Sequence, residues 1–313
     1  MIHKAKKSLG LKKFPKQNFS PETFHKAKKS LGQNFLKSQV ALRALCDAGF
    51  IKDTDTVVEI GPGKGALTAH LLNKAKQVIA IEMDHDLIEH LQEKFQTEIN
   101  EGKLILIEGD CLDFDPLLIQ GGVALSRGGN PELITTSPFG YSSSIRRREN
   151  SYKLIANIPY NITGLILKKF LEEEDNKPEN MVLVVQKEVA ERIVCRDNKE
   201  SILSLSVKLF SQPKYIMKIS KKFFSPAPAV DSAIIAMYDI KSVEKNFTDL
   251  FFKIIKKSFA HKRKVLKKNL ESVLQKEQIE SLFRELKLPL QVRAEDIPYE
   301  QWLNIVKFLE KIV

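Results

Sequence analysis

Short apolar segments alternate with amphipathic segments through the first two thirds of the chain. Five of the apolar segments are rich in β-branched residues along nearly their whole length, as expected for strands buried on both faces. Helical patterns lie between them near 64–74, 84–97 and 162–174, and an earlier amphipathic helix follows Leu36. This alternation predicts an α/β protein with a doubly wound, mostly parallel sheet. The predicted strands are TVVEI (56–60), QVIAIEM (77–83), LILIEGD (104–110), KLIANI (153–158) and MVLVVQ (181–186).

Two further apolar runs lie later in the chain, KYIMKIS at 214–220 and SAIIAMYDI at 232–240. No strong helical pattern separates them. Parallel neighbours need a long crossover connection, usually a helix, whereas antiparallel neighbours do not. The pair therefore predicts an antiparallel addition at one edge of the sheet.

The alternation stops beyond Ile240, and helical patterns take over. Apolar residues recur at i, i+3, i+4 and i+7 just after Pro298, which gives one apolar helical face. We therefore predict a small all-helical C-terminal domain at 245–313. The residues of that face are Trp302, Ile305, Val306 and Leu309.

Two segments interrupt this organisation. Residues 1–26 contain many lysines and few apolar residues, and they predict a flexible basic arm. The octapeptide HKAKKSLG occurs at 3–10 and again at 25–32, where it continues into QNFL. Residues 121–150 are rich in Gly, Ser and Arg without a usable periodicity, which predicts a long inserted loop. The α/β domain that contains this loop is predicted at 27–240.

Composition narrows the class of protein. Lys and Arg number 50 against 39 Asp and Glu, a net charge of +11, which is common in proteins that bind polyanions and also fits a merely soluble surface. No apolar run reaches the roughly 18 residues of a membrane helix and no secretory signal follows Met1, so we expect a cytoplasmic protein without a membrane partner. The three cysteines are widely spaced, and we predict no metal site.

Candidate chemistry follows three successive predicted strands. The first ends in EIGPGKG, where Gly61, Gly63 and Gly65 allow a tight turn and a close approach of the backbone to a ligand. The second ends at Glu82, placed to accept hydrogen bonds from ribose hydroxyls. The third ends at Asp110, placed to accept from an exocyclic amine. Ligands bind at the carboxyl ends of strands in open α/β sheets, so the three together favour a binding site over helix caps or solvated charges.

The fourth predicted strand runs into NIPY, at 157–160. An adenine amino group is a poor nucleophile because its lone pair is delocalised into the ring. The side-chain oxygen of Asn157 and the carbonyl of Ile158 could accept its two hydrogens and draw the nitrogen toward tetrahedral geometry. Pro159 would stiffen the turn, and Tyr160 would offer a face on which an extruded base stacks. The simpler alternative is a strand end with a packed tyrosine, which explains less of the motif.

A series of motifs resembles the KsgA family, the S-adenosylmethionine-dependent dimethyltransferases of small-subunit ribosomal RNA. The match runs from about Phe24 to the C-terminus and is interrupted mainly by 121–150. It implies a Rossmann-like methyltransferase sheet, S-adenosylmethionine as cofactor, and methyl transfer to N6 of two adjacent adenosines in the 3′-terminal hairpin of 16S ribosomal RNA. The motifs are SLGQNFL, EIGPGKG, IEMD, EGDCLDF, ANIPYNIT, LVVQKEVAERI, FFSPAPAVDSA, SFAHKRKVLKKNL and RAEDIPYEQWL, in that order.

The resemblance also implies roles for single residues. The GQNFL segment would lie over the cofactor, the glycine turn would line its methionine end, Glu82 would hold its ribose and Asp110 its adenine ring. Phe224 of FFSPAP would help to sandwich the flipped adenine opposite Tyr160. Without the resemblance, Phe224 is predicted to be a core aromatic beside a proline turn. The implied cofactor-binding residues are Asn34, Leu36, Gly61, Gly63, Glu82, Asp110 and Asn157; the implied catalytic residues are Asn157, Ile158, Pro159, Tyr160 and Phe224.

The segment HKRKVLKK resembles the family's RNA-contacting segment, and we predict that it places its cations close together on a helix. A solvated helical face is the plain alternative. The resemblance further implies that the partner is small-subunit ribosomal RNA in a pre-30S particle, that the protein acts in small-subunit biogenesis, and that it is a monomer. The RNA-binding residues would be Lys262, Arg263, Lys264, Lys267 and Lys268.

Two other functions stay open at this point. An Erm-type enzyme methylates one adenine in large-subunit ribosomal RNA and shares the sheet and an NIPY-like motif, but G-Q-N-F in place of S-Q-N-F and the RAEDIPYEQWL ending favour the small-subunit group. A non-catalytic RNA-binding or assembly factor could use the same fold. The intact glycines, acids and NIPY motif argue against lost catalysis.

Overall fold

The computed structural model of the protein describes residues 27–116 and 151–311. The arm predicted at 1–26 and the loop predicted at 121–150 lie outside the described residues. The strands are β1 (Phe35–Leu36), β2 (Thr56–Ile60), β3 (Gln77–Glu82), β4 (Leu104–Glu108), β5 (Tyr152–Asn157), β6 (Met181–Gln186), β7 (Gln212–Ile219), β8 (Phe224–Ser225) and β9 (Ser232–Tyr238).

Helices occupy most of the connections between the strands and the C-terminal part of the chain. Helix α5 continues into one π-helical segment, Lys169–Glu173. The helices are α1 (Gln39–Ala48), α2 (Ala66–Leu72), α3 (His85–Lys94), α4 (Gln96–Asn100), α5 (Thr163–Lys168), α6 (Lys187–Ile193), α7 (Ile202–Phe210), α8 (Lys245–Ser258), α9 (Leu266–Leu270), α10 (Lys276–Glu285) and α11 (Tyr299–Glu310).

Seven strands form one sheet in the order β4-β3-β2-β5-β6-β9-β7. The first five strands are mutually parallel, and β9 is antiparallel to both β6 and β7. The prediction of a mostly parallel sheet with an antiparallel addition is therefore confirmed. The antiparallel strand β9 lies inside the sheet, and β7 forms the edge. A separate antiparallel pair, β1 with β8, joins Leu36 to Phe224.

Each face of the sheet supports its own hydrophobic cluster, because successive residues of a strand point to opposite faces. Val57 of β2 packs with α1 and α2, whereas its neighbour Val58 packs in the cluster that contains the C-terminal helices. Leu42 and Leu45 of helix α1 are buried in the first cluster. The side chain of its N-cap residue Ser38 accepts a hydrogen bond from the backbone N–H of Ala41. Both faces are covered, which explains why the predicted strands have no polar face.

The C-terminal helices pack on the second face of the sheet. Trp302 of α11 is fully buried and its ring lies 5.9 Å from that of Phe259, at the end of α8. The apolar face predicted for this helix is confirmed, because all four of its residues are fully buried. In residues 27–116 and 151–311, no helix combines the length and apolar character that crossing a bilayer requires.

Candidate active site

A cavity of about 250 Å³ opens at the carboxyl ends of β2, β3 and β5. The parallel strands deliver the glycine turn, the strand-end acids and the NIPY motif to this edge, and the segment before α1 forms part of the wall. Ten of the residues singled out in the sequence line the cavity together. They are Asn34, Leu36, Gly61, Gly63, Glu82, Asp110, Asn157, Ile158, Pro159 and Tyr160.

The glycine turn between β2 and α2 requires residues without a side chain. Gly61, Gly63 and Gly65 all have positive φ, at 64°, 56° and 73°. A Cβ atom on Gly63 would lie 2.8 Å from Cδ1 of Phe35, so the Phe35 ring lies directly against this turn. A Cβ atom on Gly61 would approach only the carbonyl oxygen of Asn157, at 4.0 Å. The space beside Gly61 is therefore open to a ligand.

Glu82 ends β3 with its carboxylate held by three backbone N–H groups. Oε1 accepts from Met83 and Asp84 at 3.0 Å, and Oε2 accepts from Gly63 at 3.1 Å. Burial raises the pKa of Glu82, while these backbone donors oppose that rise. An ionised carboxylate has about four acceptor positions. The carboxylate is thus fixed at the cavity wall with capacity to accept from a ligand hydroxyl.

Asp110 follows β4 at the same edge of the sheet. Its Oδ1 accepts a hydrogen bond from the backbone N–H of Leu112 at 2.9 Å, in the manner of an Asx turn. This bond holds the carboxylate beside the cavity. Asp110 lies two residues beyond the end of the strand, where the chain turns across the carboxyl edge.

Asn157, the last residue of β5, joins the NIPY motif to the segment before α1, which forms part of the cavity wall. Its Nδ2 donates to the carbonyl of Asn34 at 3.0 Å, and the Nδ2 of Asn34 in turn donates to the carbonyl of Gly32 at 3.0 Å. Because an amide presents its donor and acceptor on opposite sides, the first bond fixes the rotation of the Asn157 side chain. The amide oxygen is then the group that can accept from a ligand amine.

Two contacts hold the rest of the NIPY motif in place, one at Ile158 and one at Tyr160. The side chain of Ile158 is buried, which anchors the backbone of the motif. The hydroxyl of Tyr160 hydrogen-bonds to that of Ser232 at the start of β9. Burial raises the pKa of Tyr160, so its hydroxyl stays protonated at neutral pH. The half-buried Tyr160 ring is thus fixed by its far end.

Phe224 is the one predicted catalytic residue that does not line the cavity. It is only 4% exposed, and it packs in the same hydrophobic cluster as Leu36, with which it is paired between β1 and β8. A base could stack on this ring only if the ring became accessible. The preceding aromatic residue, Phe223, is 40% exposed.

The segment before α1 is attached to the start of α3 by contacts that sequence reasoning missed. Lys28 contacts Asp84 at 2.6 Å and Asp86 at 2.9 Å, and Gln33 Nε2 donates to Asp84 Oδ2 at 2.7 Å. Asp84 belongs to the IEMD motif, but its partners lie about 50 residues away in the chain. No local pattern in the sequence indicates this pairing.

Glu59 is a second cavity residue that sequence reasoning missed. It is 1% exposed, and its Oε2 has no hydrogen-bond partner among the described residues. Burial raises its pKa to about 8, against the opposing influence of Thr68. The sequence did contain a signal for this residue, because Glu59 is an acid within the apolar run TVVEI. Burying a carboxylate without a partner costs free energy, so an acid in a buried strand indicates a special role.

The basic cluster of the C-terminal region differs from the prediction. Lys262, Arg263 and Lys264 lie in the turn between α8 and α9, and only the last two cations of the cluster lie on a helix, α9. Helix α8 ends at Ser258, and Asn269 Nδ2 donates to the carbonyls of Ser258 and His261, which supports the turn that follows. The helical assignment of residues 262–264 was therefore wrong, although all five cations lie close together in the chain.

A mostly parallel seven-stranded sheet with a glycine turn and strand-end acids around one cavity is the arrangement found in Rossmann-like methyltransferases. The chain belongs to the ribosomal RNA adenine dimethylase family, whose model matches residues 24–311. The resemblance to the KsgA family and the expectation of a methyltransferase are confirmed.

Two relatives carry the name Ribosomal RNA small subunit methyltransferase A. The protein from Fusobacterium nucleatum is 34% identical over 89% of this chain and 96% of its own length. The protein from Dehalococcoides mccartyi strain CBDB1 is 37% identical over 88% of this chain and 85% of its own length.

Two solved structures share the fold. The 23S rRNA methyltransferase ErmE aligns with a TM-score of 0.67 at 21% identity, over 88% of this chain and all of its own. A dimethyladenosine transferase from Plasmodium falciparum aligns with a TM-score of 0.66 at 24% identity, over 89% of this chain and 98% of its own. They confirm the predicted fold class.

Proposed function

We propose that the protein transfers methyl groups from S-adenosylmethionine to N6 of two adjacent adenosines in the 3′-terminal hairpin of small-subunit (16S) ribosomal RNA. The product is N6,N6-dimethyladenosine. Membership of the adenine dimethylase family and the names of the bacterial relatives support this reaction and this RNA. The observation that carries the proposal is the fixed amide of Asn157 at the wall of the cavity.

The residues around the cavity fit S-adenosylmethionine. The open space beside Gly61 suits its methionine end, and the fixed carboxylate of Glu82 suits ribose hydroxyls. Asp110 would accept from the amine of its adenine ring, and Asn34 and Leu36, which line the cavity, would lie over the cofactor. When bound, the cofactor supplies an electrophilic methyl group on a positively charged sulfur.

The NIPY motif would prepare the target nitrogen. The oxygens of Asn157 and Ile158 accept the two amino hydrogens, which localises the lone pair of the nitrogen. Pro159 holds the turn, and the anchored ring of Tyr160 supports the extruded base. Catalysis rests on orientation and hydrogen bonding rather than on a covalent enzyme intermediate. Phe224 retains a proposed role as the second aromatic only if RNA binding exposes its ring.

RNA contact would extend from the cavity to the C-terminal helices. We assign phosphate binding to the basic turn and α9, within a helical RNA-binding region at 245–313 that accompanies the catalytic domain at 27–240. The proposal also includes a pre-30S particle as the form of the substrate and a monomeric enzyme. It further includes a role in subunit biogenesis and a cytoplasmic location. The five cations that would meet phosphate are Lys262, Arg263, Lys264, Lys267 and Lys268.

The Erm-type alternative is disfavoured by the relatives rather than by the fold. ErmE has a similar structure, but at 21% identity this likeness shows the fold alone. The bacterial relatives named for the small subunit exceed 30% identity over most of the chain. The non-catalytic alternative predicts that RNA binds without methyl transfer.

Methyl transfer to purified particles tests the proposal. Purified small and large ribosomal subunits that lack the modifications are incubated with the protein and S-adenosylmethionine carrying a labelled methyl group. We expect label in small-subunit RNA only, and dimethyladenosine in its nuclease digest. Because N6,N6-dimethyladenosine cannot form a normal base pair, primer extension should stop at two adjacent positions. Label in large-subunit RNA would favour the Erm-type function, and RNA binding without label would favour a binding factor.

A further inference from the structure

The loop between β7 and β9 presents an aromatic ring to solvent beside β8, which pairs with a strand of the cavity wall. Phe223 is 40% exposed, whereas Phe224 beside it is 4% exposed. Phe224 pairs with Leu36, which lines the cavity, and the carbonyl of Phe223 accepts from the backbone N–H of Lys37 at 2.8 Å. The outward ring therefore lies one residue from a strand pair that forms part of the cavity wall.

The surroundings of this ring are cationic. The Nζ atom of Lys222 lies 5.3 Å from the centroid of the Phe223 ring. The side chains of Lys221, two residues earlier, and of Lys37, whose backbone N–H bonds to Phe223, are also exposed. The nearest carboxylate in the same loop, Asp231, is paired with Lys218 at 2.8 Å. An exposed ring bordered by cations matches the chemistry of single-stranded nucleic acid, which offers flat bases and phosphates.

We propose that Phe223 is a stacking platform for an unpaired nucleobase that flanks the target adenine. Extrusion of the target leaves its neighbour without a stacking partner, and an exposed ring beside the cavity replaces that partner. Lys222 and Lys37 neutralise the adjoining phosphates. This inference rests on the proposed function, and it adds a residue that recognises RNA outside the cavity.

The test compares two exposed phenylalanines at opposite ends of the sheet. Phe50 is 64% exposed, and its carbonyl accepts from the Nζ atom of Lys153, near the amino end of β5 and away from the cavity. Phe223→Ala and Phe50→Ala therefore each remove one exposed phenylalanine ring, although the Phe50 ring also packs against Tyr238 at 5.6 Å. Phe223→Tyr keeps a stacking face in the same position.

The readout is the KM for small-subunit particles, with kcat and the Kd for S-adenosylmethionine measured in parallel. Stacking of one base on an aromatic ring predicts that Phe223→Ala raises the KM for RNA about five- to 150-fold, with the Kd for S-adenosylmethionine unchanged. Phe223→Tyr and Phe50→Ala should stay within about twofold of the wild type, on the same stacking argument.

The outcomes separate this inference from the proposed function. If the wild-type protein methylates the particles and Phe223→Ala matches Phe50→Ala, the stacking role is refuted while the reaction stands. A raised Kd for S-adenosylmethionine in Phe223→Ala, or a tyrosine variant as weak as the alanine variant, would also refute stacking. If the wild-type protein transfers no methyl group, the proposed function fails and the inference fails with it.

Discussion

The side chain of Asn157 has two proposed roles. Its Nδ2 donates a hydrogen bond to the carbonyl of Asn34, and its oxygen would accept a hydrogen bond from the target amine. Asn157→Ala removes both. We expect kcat to fall about 100- to 1,000-fold, the range seen when one fixed hydrogen bond is lost from a reacting group. RNA affinity should be unchanged, as measured by filter binding. Asn73→Ala, which alters an asparagine at the end of α2, should retain wild-type turnover, and near-normal turnover in Asn157→Ala would refute the assigned role.

The substitution Glu82→Gln tests whether the carboxylate of Glu82 binds the cofactor. Glu82→Gln keeps the size of the side chain but replaces one acceptor oxygen with a donor, which opposes the backbone N–H groups and a ligand hydroxyl. We expect the Kd for S-adenosylmethionine, measured by calorimetry, to rise about tenfold or more. Glu108→Gln is the matched control, since that residue ends the neighbouring strand β4 outside the cavity. Equal dissociation constants for the two variants would contradict the ribose contact.

Glu59 makes stability depend on pH. Its pKa is about 8 in the folded protein against an ordinary value of 4.5, so between these values the folded state holds a proton that the unfolded state has released. Stability contributed by this group is therefore lost as the pH rises through that interval. Relative to Glu59→Gln, the wild type should lose on the order of a few kcal/mol of unfolding free energy between pH 5 and 8.

Chemical denaturation at several pH values measures this difference, and other acids cancel because both proteins contain them. Glu101→Gln, an exposed position, should give a flat difference over the same interval. A flat difference for Glu59→Gln would show that its carboxyl group ionises normally in the folded protein.

At the scale of elements, the turn between α8 and α9 collects three cations that a continuous helix would have distributed around its circumference. The Asn269 side chain supports this turn by donating to two of its carbonyls. If the turn meets phosphate, replacing Lys262, Arg263 and Lys264 by alanine should lower the slope of log affinity against log salt by about two to three.

A control for this prediction removes the same charge elsewhere. Lys52, Lys76 and Lys103 precede β2, β3 and β4 at the amino edge of the sheet, opposite the cavity. Their triple alanine variant should keep the wild-type slope in titrations of small-subunit RNA. Identical slopes for the two triple variants would mean that the basic turn is only a solvated surface.

The elements that could be predicted from the sequence are those whose stability is decided locally. The buried strands are continuous apolar runs, and their observed bounds differ from the predicted ones by two residues or fewer. The turn at 262–264 could not be predicted, because it is supported by the side chain of Asn269 in the next helix, a contact that no local pattern indicates. The burial of Phe224 agrees with what its own surroundings in the sequence predict, a core aromatic beside a proline turn, whereas its role at the target adenine came only from the resemblance.

At the scale of the whole molecule, the site depends on the topology of the sheet. Residues from 34 to 160 meet around one cavity because β2, β3 and β5 end at the same edge. That convergence could be predicted from the strand–helix alternation. The attachment of the segment before α1 could not, since Lys28 and Gln33 contact Asp84, which lies far along the chain.

The C-terminal helices and the sheet share one hydrophobic cluster, which includes Leu154 of β5 and Trp302 of α11. We therefore expect the two regions to unfold together, although the sequence predicts a separate helical domain. Trp302 is the only tryptophan of the chain, so its fluorescence reports on the C-terminal helices alone. In denaturant titrations, its transition should coincide with the loss of far-ultraviolet circular dichroism.

A sheet variant makes this test of cooperativity decisive. Leu154→Ala removes a fully buried side chain and should cost about 2 to 5 kcal/mol. If folding is shared, the Trp302 fluorescence transition moves to lower denaturant by the same amount as the circular dichroism transition. Leu290→Ala, at a residue that is 65% exposed, should move neither. The opposite result is a circular dichroism midpoint that falls while the fluorescence midpoint does not change. Residues 245–313 would then fold as an independent domain, because their stability would not depend on packing against the sheet.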